Sequence, residues 1–453
     1  MNEQSSQGMS TLEILVAFSV GILVITAVIL VSFGSRSMIL QAELSLIALA
    51  KAKSGLEIFL LEDFYSLQNT LVADGIFEKT ITVEPITNFA KSVESAVSWD
   101  GGKHQVVLSR IATNSENALG TDTCDMFLTD DWSNPSEIAS ISSLTDITQI
   151  DVLNNKIYVT TNSSTPLQPD FHIVDISNHS DIQIVSSITT GPGLNALHVA
   201  GDYAYVANGS INAQLQIIDV SDSSNPLLKK ELKLPSIVGI NDNRTSSSIF
   251  YSNKKVFLGT NNSPSYPEFS VIDVSDPLSP SLLGSFEIGN VVNDIYVVGA
   301  KAYLATASSK QMRILDVNDP SDIKEIGSIT LTQFLTQSGK SLYPLGDTVY
   351  LGRTYGGTIA SNHELHIIDT KSESSVGSEK IGKSVNDIFV RSDKAFLATL
   401  VGAEEFQIWN VKDPSNIVKI GDINLNGDGI SLDCEGNTMY VATPNKIIFV
   451  KGN

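Results

Sequence analysis

The sequence predicts a mainly β protein with three parts: a long N-terminal helix, a small α/β region, and a C-terminal seven-bladed β-propeller. Three observations predict this architecture. An uncharged apolar run lies near the N-terminus, short alternating segments follow it, and from about residue 135 a pair of motifs recurs to the end of the chain.

Composition excludes some classes of partner before any motif is considered. The chain has 453 residues, with 29 Lys and Arg against 50 Asp and Glu, and a formal net charge of −21. A strongly acidic protein is repelled by nucleic acid, so we expect no nucleic-acid partner. The two cysteines form no disulfide framework and no zinc-ligand spacing, and no metal or cofactor is predicted.

The N-terminal helix is predicted over residues 9–65. Residues 14–33 contain no charged residue and no proline. Twenty helical residues span about 30 Å, the thickness of a bilayer core, so 14–33 is predicted to cross a membrane. Residues 46–64 continue the helical pattern with an amphipathic face.

The segment GMSTLEILVAFSVGILVITAVIL (8–30) resembles the N-terminus of type IV prepilins. The resemblance implies that residues 1–8 are a leader, and that prepilin peptidase cuts between Gly8 and Met9 and methylates the new N-terminus. It also implies that other pilin subunits are partners. The expected localisation is single-pass in a bacterial inner membrane before assembly, and then a pilus or cell surface with an extracellular propeller.

Glu13 becomes the fifth residue of the processed chain. A carboxylate in hydrocarbon is unfavourable unless it is paired. We therefore expect Glu13 to pair with the α-ammonium of a neighbouring subunit and to set the register of assembly. The alternative is that Glu13 only marks the interfacial end of an anchor.

Residues 66–133 are predicted to form a small pilin-like region and a linker. Residues 79–86 and 104–113 alternate like strands, whereas 88–99 is compatible with a helix or a strand. The polar, turn-rich residues 113–135 are typical of a linker.

The propeller is predicted over residues 134–453 from two recurring motifs. Middle residues of the first motif are 44 to 52 apart. Its copies are IYVTT (157–161), AYVAN (204–208), VFLGT (256–260), AYLAT (302–306), VYLGR (349–353), AFLAT (395–399) and MYVAT (439–443). A second motif follows each copy, and the intervening strands bring the count to four per unit, which is typical of a propeller blade.

The second motif resembles the repeat of the bacterial propeller family named for Leu-Val-Ile-Val-Asp. The copies FHIVDIS (171–177), LQIIDVS (215–221) and FSVIDVS (269–275) carry the resemblance. The resemblance implies the fold and no particular activity.

The last unit ends after its third strand, and residues 136–144 form a predicted strand with no unit of its own. We expect this strand to be donated to the last blade as its fourth strand, which would leave no exposed blade edge. This topology places Cys124 and Cys434 at the same face, so a disulfide is predicted. The alternative is two unrelated thiols.

Loops on the opposite face are candidates for ligand recognition, because variable loops on a rigid scaffold commonly bind. The alternative is that they are plain solvated turns. The long loops are 161–170, 260–268 and 353–364, and the candidate ligand-binding residues in them are Tyr266, Arg353, Tyr355 and His363.

No nucleophile, acid–base or phosphate-binding motif is present, so the protein is not expected to be an enzyme. The sequence predicts a minor type IV pilin-like subunit whose propeller binds a surface protein or glycan in adhesion. The alternatives are a secretion-system pseudopilin that contacts cargo, and a propeller lyase or glycan hydrolase. For the enzyme, inner-strand ends such as Asn293–Asp294 and Asn386–Asp387 would be the candidate sites.

Overall fold

The structure of the protein is a computed structural model. It describes residues 36–59, 64, 67–87, 90–113, 123–125, 128, 130–162, 167–191, 193–331, 337–400 and 402–453. The chain divides into two compact units, one comprising residues up to Glu84 together with Ser92–Ala112, and the other comprising Pro85–Lys91 and Thr113–Asn453.

The first unit packs one helix, α1 (Arg36–Phe59), on an antiparallel sheet in the order β1-β2-β3-β4. Ala48 and Ala52 of α1 are fully buried against the sheet, where small side chains allow close approach. The segment whose pattern left helix and strand open is a strand. The strands are β1 (Thr70–Asp74), β2 (Phe77–Thr87), β3 (Ala90–Trp99) and β4 (His104–Thr113).

The helix predicted over 9–65 is described only as α1, and no longer N-terminal helix is seen among the described residues. The expected membrane location is contradicted by the one finding that bears on it: within the described residues, no helix is long and apolar enough to cross a membrane. The predicted span 14–33 itself lies outside the described residues, as do Gly8, Met9 and Glu13.

The second unit is a β-propeller, as its repeats predict. Its described residues form seven sheets, which we call blades 1 to 7, and the four principal strands of each blade run antiparallel. The strands of blades 1 to 3 are β7 (Ile147–Val152), β8 (Lys156–Thr161), β9 (Phe171–Asp175), β10 (Gln183–Ile188), β11 (Leu194–Ala200), β12 (Tyr203–Ser210), β13 (Ala213–Asp219), β14 (Leu227–Leu232), β15 (Ser246–Ser252), β16 (Lys255–Thr260), β17 (Phe269–Asp273) and β18 (Ser281–Phe286).

Blades 4 to 6 repeat the same order. Their strands are β19 (Val292–Val298), β20 (Lys301–Thr306), β21 (Met312–Asp316), β22 (Lys324–Ile329), β23 (Gly339–Leu345), β24 (Thr348–Arg353), β25 (Leu365–Asp369), β26 (Ser374–Glu379), β27 (Val385–Arg391), β28 (Lys394–Thr399), β29 (Phe406–Asn410) and β30 (Val418–Ile423).

Blade 7 combines the two ends of this unit. Its own strands are β31 (Ser431–Gly436), β32 (Thr438–Thr443) and β33 (Lys446–Lys451). The earlier strand β6 (Ser136–Ile141) pairs antiparallel with β33, in the place that the outermost strand takes in other blades. On the inner side, the two-residue strand β5 (Thr123–Cys124) pairs parallel with β31.

A disulfide joins Cys124 to Cys434, whose Cα atoms are 5.0 Å apart and 310 positions apart in sequence. Beside it, the Thr123 hydroxyl donates to the Cys434 carbonyl at 2.9 Å. Further along the same segment, Trp132 is buried and meets Phe396 of blade 6 edge to face, with ring centroids 4.9 Å apart. The segment before β6 is therefore fixed to the last two blades covalently and by packing.

The innermost strands of the blades surround a central channel. Blade 7 adjoins blade 1, because the Ile150 amide donates to Ser431 Oγ and the Val152 amide to Asp433. We call the side that carries the loops between second and third strands, and the links between blades, the loop face. The side with the other turns is the turn face.

One buried hydrogen-bonded interaction recurs at the loop face in blades 1 to 6. An acid or a glutamine lies just before the third strand, or in blade 2 at its second residue, and its side chain accepts a hydrogen bond from a backbone amide of the link that follows the fourth strand. These residues are Asp170, Gln214, Glu268, Gln311, Glu364 and Glu405. Each thereby ties its blade to the start of the next.

Candidate functional site

Tyr266, predicted to contact ligand, is instead buried, with 3% of its surface exposed. Its hydroxyl accepts from the Ile237 amide at 3.0 Å and lies 3.2 Å from the Ile240 carbonyl, to which it donates. The Arg244 guanidinium stacks on its ring at 4.3 Å and pairs with Asp242 at 2.8 Å. Tyr266 therefore holds the link between blades 2 and 3 in place.

Arg353 is also buried, with no exposed surface. Its Nη1 donates to the His363 carbonyl at 3.1 Å and lies 3.2 Å from His366 Nε2. Burial lowers the pKa of Arg353 to about 10 and, together with the nearby Arg353 charge, lowers the pKa of His366 to about 3. The long side chain of Arg353 reaches inward and binds the backbone of the loop. It is therefore not available for direct contact with a ligand.

The other two predicted residues differ from each other. Tyr355 is 43% exposed, and Lys380 lies over its ring at 5.2 Å. His363 is half-buried, and its Nδ1 is 2.8 Å from Ser378 Oγ. Of the four candidate side chains, Tyr355 is thus the one presented to solvent.

Exposed apolar side chains on the loop face form a feature that the sequence reading missed. Within the described residues they come from loops or links of blades 1, 2, 5 and 6. They are Leu167, Ile211, Ile237, Val238, Ile240, Tyr355, Ile359 and Leu400. Leu167 is 90% and Val238 fully exposed, whereas apolar residues in a repeat protein are normally assigned to its core.

The central channel opens at the loop face into a polar cavity of about 230 Å³. Amides and hydroxyls at its wall connect neighbouring blades: Asn293 Nδ2 donates to the Gly339 carbonyl at 2.6 Å, and Asn386 Nδ2 to the Gly429 carbonyl at 2.7 Å. Lys340 also lines this cavity. We call this part of the channel the mouth.

Two carboxylates in the mouth are held by backbone amides. Asp294 accepts from its neighbour Ile295 and from Leu342, each at 2.8 Å. Asp387 accepts in the same way from Ile388 and Leu432, again at 2.8 Å. Both carboxyl groups are thus fixed in position by backbone amides, and among the residues that the structure describes neither forms an ion pair.

Removal from bulk water dominates the electrostatics of these carboxylates. It raises the pKa of Asp294 to about 8, with repulsion from Asp387 as a further cause, and raises the pKa of Asp387 to about 6. Both residues are predicted from the sequence to be inner-strand ends, but they come together only because the blades close into a ring.

Below the mouth the channel narrows to a second cavity of about 140 Å³. Five rings from successive inner strands follow one another around its wall, with neighbouring centroids 4.6 to 5.3 Å apart: His198, Phe250, Tyr296, Tyr343 and Phe389. We call them the aromatic arc. The remaining two strands place Asp151 and Asp433 at the same level, where their carboxyl groups share a hydrogen bond.

Comparisons with known proteins support the propeller. A family model of the LVIVD repeat matches residues 167–190, 195–233, 266–287 and 289–330. No curated protein matches the chain.

Among solved structures, a chain of the mitotic checkpoint complex is similar with a TM-score of 0.52 at 11% identity, covering 69% of this chain and 93% of that one. Virginiamycin B lyase from Staphylococcus aureus gives 0.51 at 12% identity, covering 70% and 99%. A catalytically inactive form of that lyase with quinupristin gives 0.51 at 13%, again covering 70% and 99%.

At these identities the likeness shows the fold alone. The similar chains include an enzyme and a component of a protein complex, so the fold is compatible with catalysis and with binding. Within the described residues, no group of His, Cys, Asp and Glu suited to a metal ion is found. The chain carries LVIVD-type repeats folded as a β-propeller.

Proposed function

We propose that this chain is a binding protein whose propeller contacts a protein partner through the exposed apolar side chains of the loop face. The resemblance of residues 8–30 to a prepilin N-terminus supports a finer proposal, that the propeller is the presented head of a minor pilin-like subunit. Gly8, Met9 and Glu13 carry that part, and the structure does not describe them.

The observation that carries the binding proposal is the apolar tip at Ile237, Val238 and Ile240. Each is at least 43% exposed, and Val238 is fully exposed. Exposure of such an apolar cluster to water is unfavourable, and these side chains are not part of the hydrophobic core of the propeller. Yet the link is held firmly from below by Tyr266 and Arg244, as a preorganised contact would be.

Aliphatic tips favour a protein surface over a glycan. Isoleucine, leucine and valine gain by burial against other apolar groups, whereas sugars offer mostly hydroxyls. The net charge of −21 further favours partners that are neutral or basic.

A photo-crosslinker placed at position 238 of the full chain should capture a defined partner, whose affinity can then be measured with purified proteins. We expect Val238→Asp to weaken that binding by about tenfold or more, because the aspartate places a charge where the valine side chain would be buried against the partner. Leu278→Asp is the matched control, since Leu278 is 53% exposed on the turn face. Equal binding by both variants would refute the loop-face proposal.

A further inference from the structure

The mouth and the narrower cavity below it carry an excess of acidic groups. Asp294 and Asp387 line the mouth, Asp151 and Asp433 line the lower cavity, and Lys340 is the one lysine lining either cavity. The lining His198 does not offset the acids, since burial lowers its pKa to about 4 and keeps it neutral at pH 7. The channel therefore presents more acceptors than cations, and the pKa of about 8 keeps Asp294 largely protonated at pH 7 until a cation approaches and favours its ionised form.

The acids are arranged to receive a group that enters from the loop face. The two backbone amides on each of Asp294 and Asp387 fix the carboxylate but leave part of its acceptor capacity unused. A carboxylate that is already oriented loses little freedom when a cation binds it.

The aromatic arc is a second and independent feature that favours a cationic ligand over an anionic one. Five rings line the lower cavity beside the acids. Aromatic faces attract ammonium and guanidinium groups, and do so more strongly where water is excluded. An anion in the same place would meet both the rings and four carboxyl groups.

Lys340 indicates which chemical group lies beside the cationic group in the ligand. In the described part of the chain its ammonium makes no hydrogen bond or ion pair, although its charge acts on Asp294 and Asp387. A free ammonium at the rim can donate to a carbonyl oxygen that remains outside while a side chain enters. A lysine or arginine residue of a polypeptide has both parts, a cationic end and a backbone carbonyl.

We propose that the channel is a binding site for a lysine or arginine side chain of the partner protein, with Asp294 and Asp387 receiving the cation and Lys340 donating to the adjacent backbone. This deepens the proposed function and rests on it, because the partner that contacts the apolar tips would supply the side chain. The apolar tips provide contact area, and the channel selects the residue at the centre.

The test uses the full chain and three small probes that need no partner. Nα-acetyl-lysine N-methylamide carries the cation, the norleucine analogue keeps the apolar stem without charge, and the glutamate analogue reverses the charge. Titrations followed by NMR should show saturable binding of the lysine probe, at least about tenfold tighter than either other probe. Equal binding of the norleucine probe, or no binding of the lysine probe, would overturn the proposal.

Variants assign the binding to the channel. Asp387→Asn should weaken binding of the lysine probe by about tenfold. The side-chain oxygen of the asparagine can still accept from the Leu432 amide, so the fold should be preserved. Lys340→Met should leave the probe's affinity unchanged within about threefold or raise it, because a lost backbone contact is offset by relief of repulsion. Asp276→Asn, in an exposed turn on the turn face, is the control.

The outcomes also separate this inference from the proposed function. If the glutamate probe binds instead and Lys340→Met abolishes it, the site is an anion site and the inference is wrong. If Val238→Asp weakens the partner while Asp387→Asn does not, the loop-face function stands and the channel does not receive the partner. If Asp387→Asn weakens the lysine probe and the partner alike, the inference is supported.

Discussion

Individual residues at the loop face explain how the blades are held to one another. The acid or glutamine at the start of each of six third strands accepts from the following link, and Glu268 is one of those that accept several hydrogen bonds. One of its oxygens accepts from Ile288 and Gly289, and the other from Ser263. A fully buried carboxylate is tolerated there because three amides replace its water.

Glu268→Ala should lower the free energy of unfolding by about 3 kcal/mol, because buried amides lose their acceptor. Glu268→Gln should cost less, since Gln214 and Gln311 fill the same position in blades 2 and 4. Denaturant unfolding of the two variants, with the exposed Glu78→Ala as control, measures the difference. Equal stability of the alanine and glutamine variants would contradict this role.

Asp294 predicts a pH dependence of stability. Its folded pKa of about 8 lies above the ordinary value, so between about pH 4 and about pH 8 the folded state binds more protons than the unfolded state. Stability from this group is therefore present at low pH and is lost as pH rises through about 8. Asp294→Asn should remove this contribution and gain stability relative to the parent near pH 8.

Thermal unfolding of the parent and Asp294→Asn at about pH 5 and about pH 8 measures the effect. The difference in melting temperature between the two proteins should grow with pH in favour of the variant. A difference that does not change with pH would show that the carboxyl group stays ionised in the folded protein. Asp276→Asn, in an exposed turn, controls for general effects of charge.

At the scale of elements, blade 7 depends on strands from outside its own repeat. The central residues of β33 are buried, because β6 covers its outer edge. Without β6, a strand of Ile, Ile, Phe and Val would present free backbone groups, which favours edge-to-edge aggregation. The disulfide to Cys434 closes a loop across a sequence separation of 310, which in the chain-entropy model stabilises by about 6 kcal/mol.

A chain of residues 142–453, which lacks β5 and β6, should aggregate more readily than residues 123–453. It should also unfold at lower denaturant, because blade 7 loses its outer strand and its covalent tie. Light scattering and denaturant titration compare the two, and adding reductant to 123–453 isolates the disulfide. If the shorter chain were equally stable, the pairing of β6 with β33 would contribute nothing to the fold.

At the scale of the whole molecule, the finer proposal concerns how the N-terminal segment joins an assembly. The Gly8–Met9 bond with Glu13 five residues into the processed chain predicts an N-terminus at Met9 in assembled protein. Gly8→Leu should block the cut. Glu13→Ala should leave the cut intact and reduce assembly, because the pairing charge is lost.

Mass spectrometry of protein recovered from filaments tests this prediction, with methylation expected at the new N-terminus. Ser5→Ala, within the leader, is the control for substitution near the site. An intact leader on assembled protein would remove the pilin-like part of the proposal. The loop-face binding proposal would stand, because its test does not depend on processing.

The repeats let much of the propeller be predicted from the sequence, because strand formation within a blade is local. Each first motif coincides with a second strand, as residues 157–161 do with β8, and each Asp-ending motif with a third strand. The odd strand at 136–144 and the two cysteines also lie where counting four strands per unit puts them. Hydrophobic alternation and the order of strands within a blade depend on neighbouring residues, so they can be predicted without knowledge of long-range contacts.

The candidate site was decided by tertiary structure. Tyr266 and Arg353 are predicted to be loop residues, but whether each side chain turns outward or inward depends on the backbone it meets in the folded protein. Tyr266 meets the link from the preceding blade, and Arg353 meets the folded loop of its own blade. Asp294 and Asp387 are 93 positions apart and become neighbours only because closing the ring brings every inner strand to one channel. The sequence by itself determined the blades and their order, whereas the ring decided which side chains meet, because that meeting depends on contacts between distant repeats.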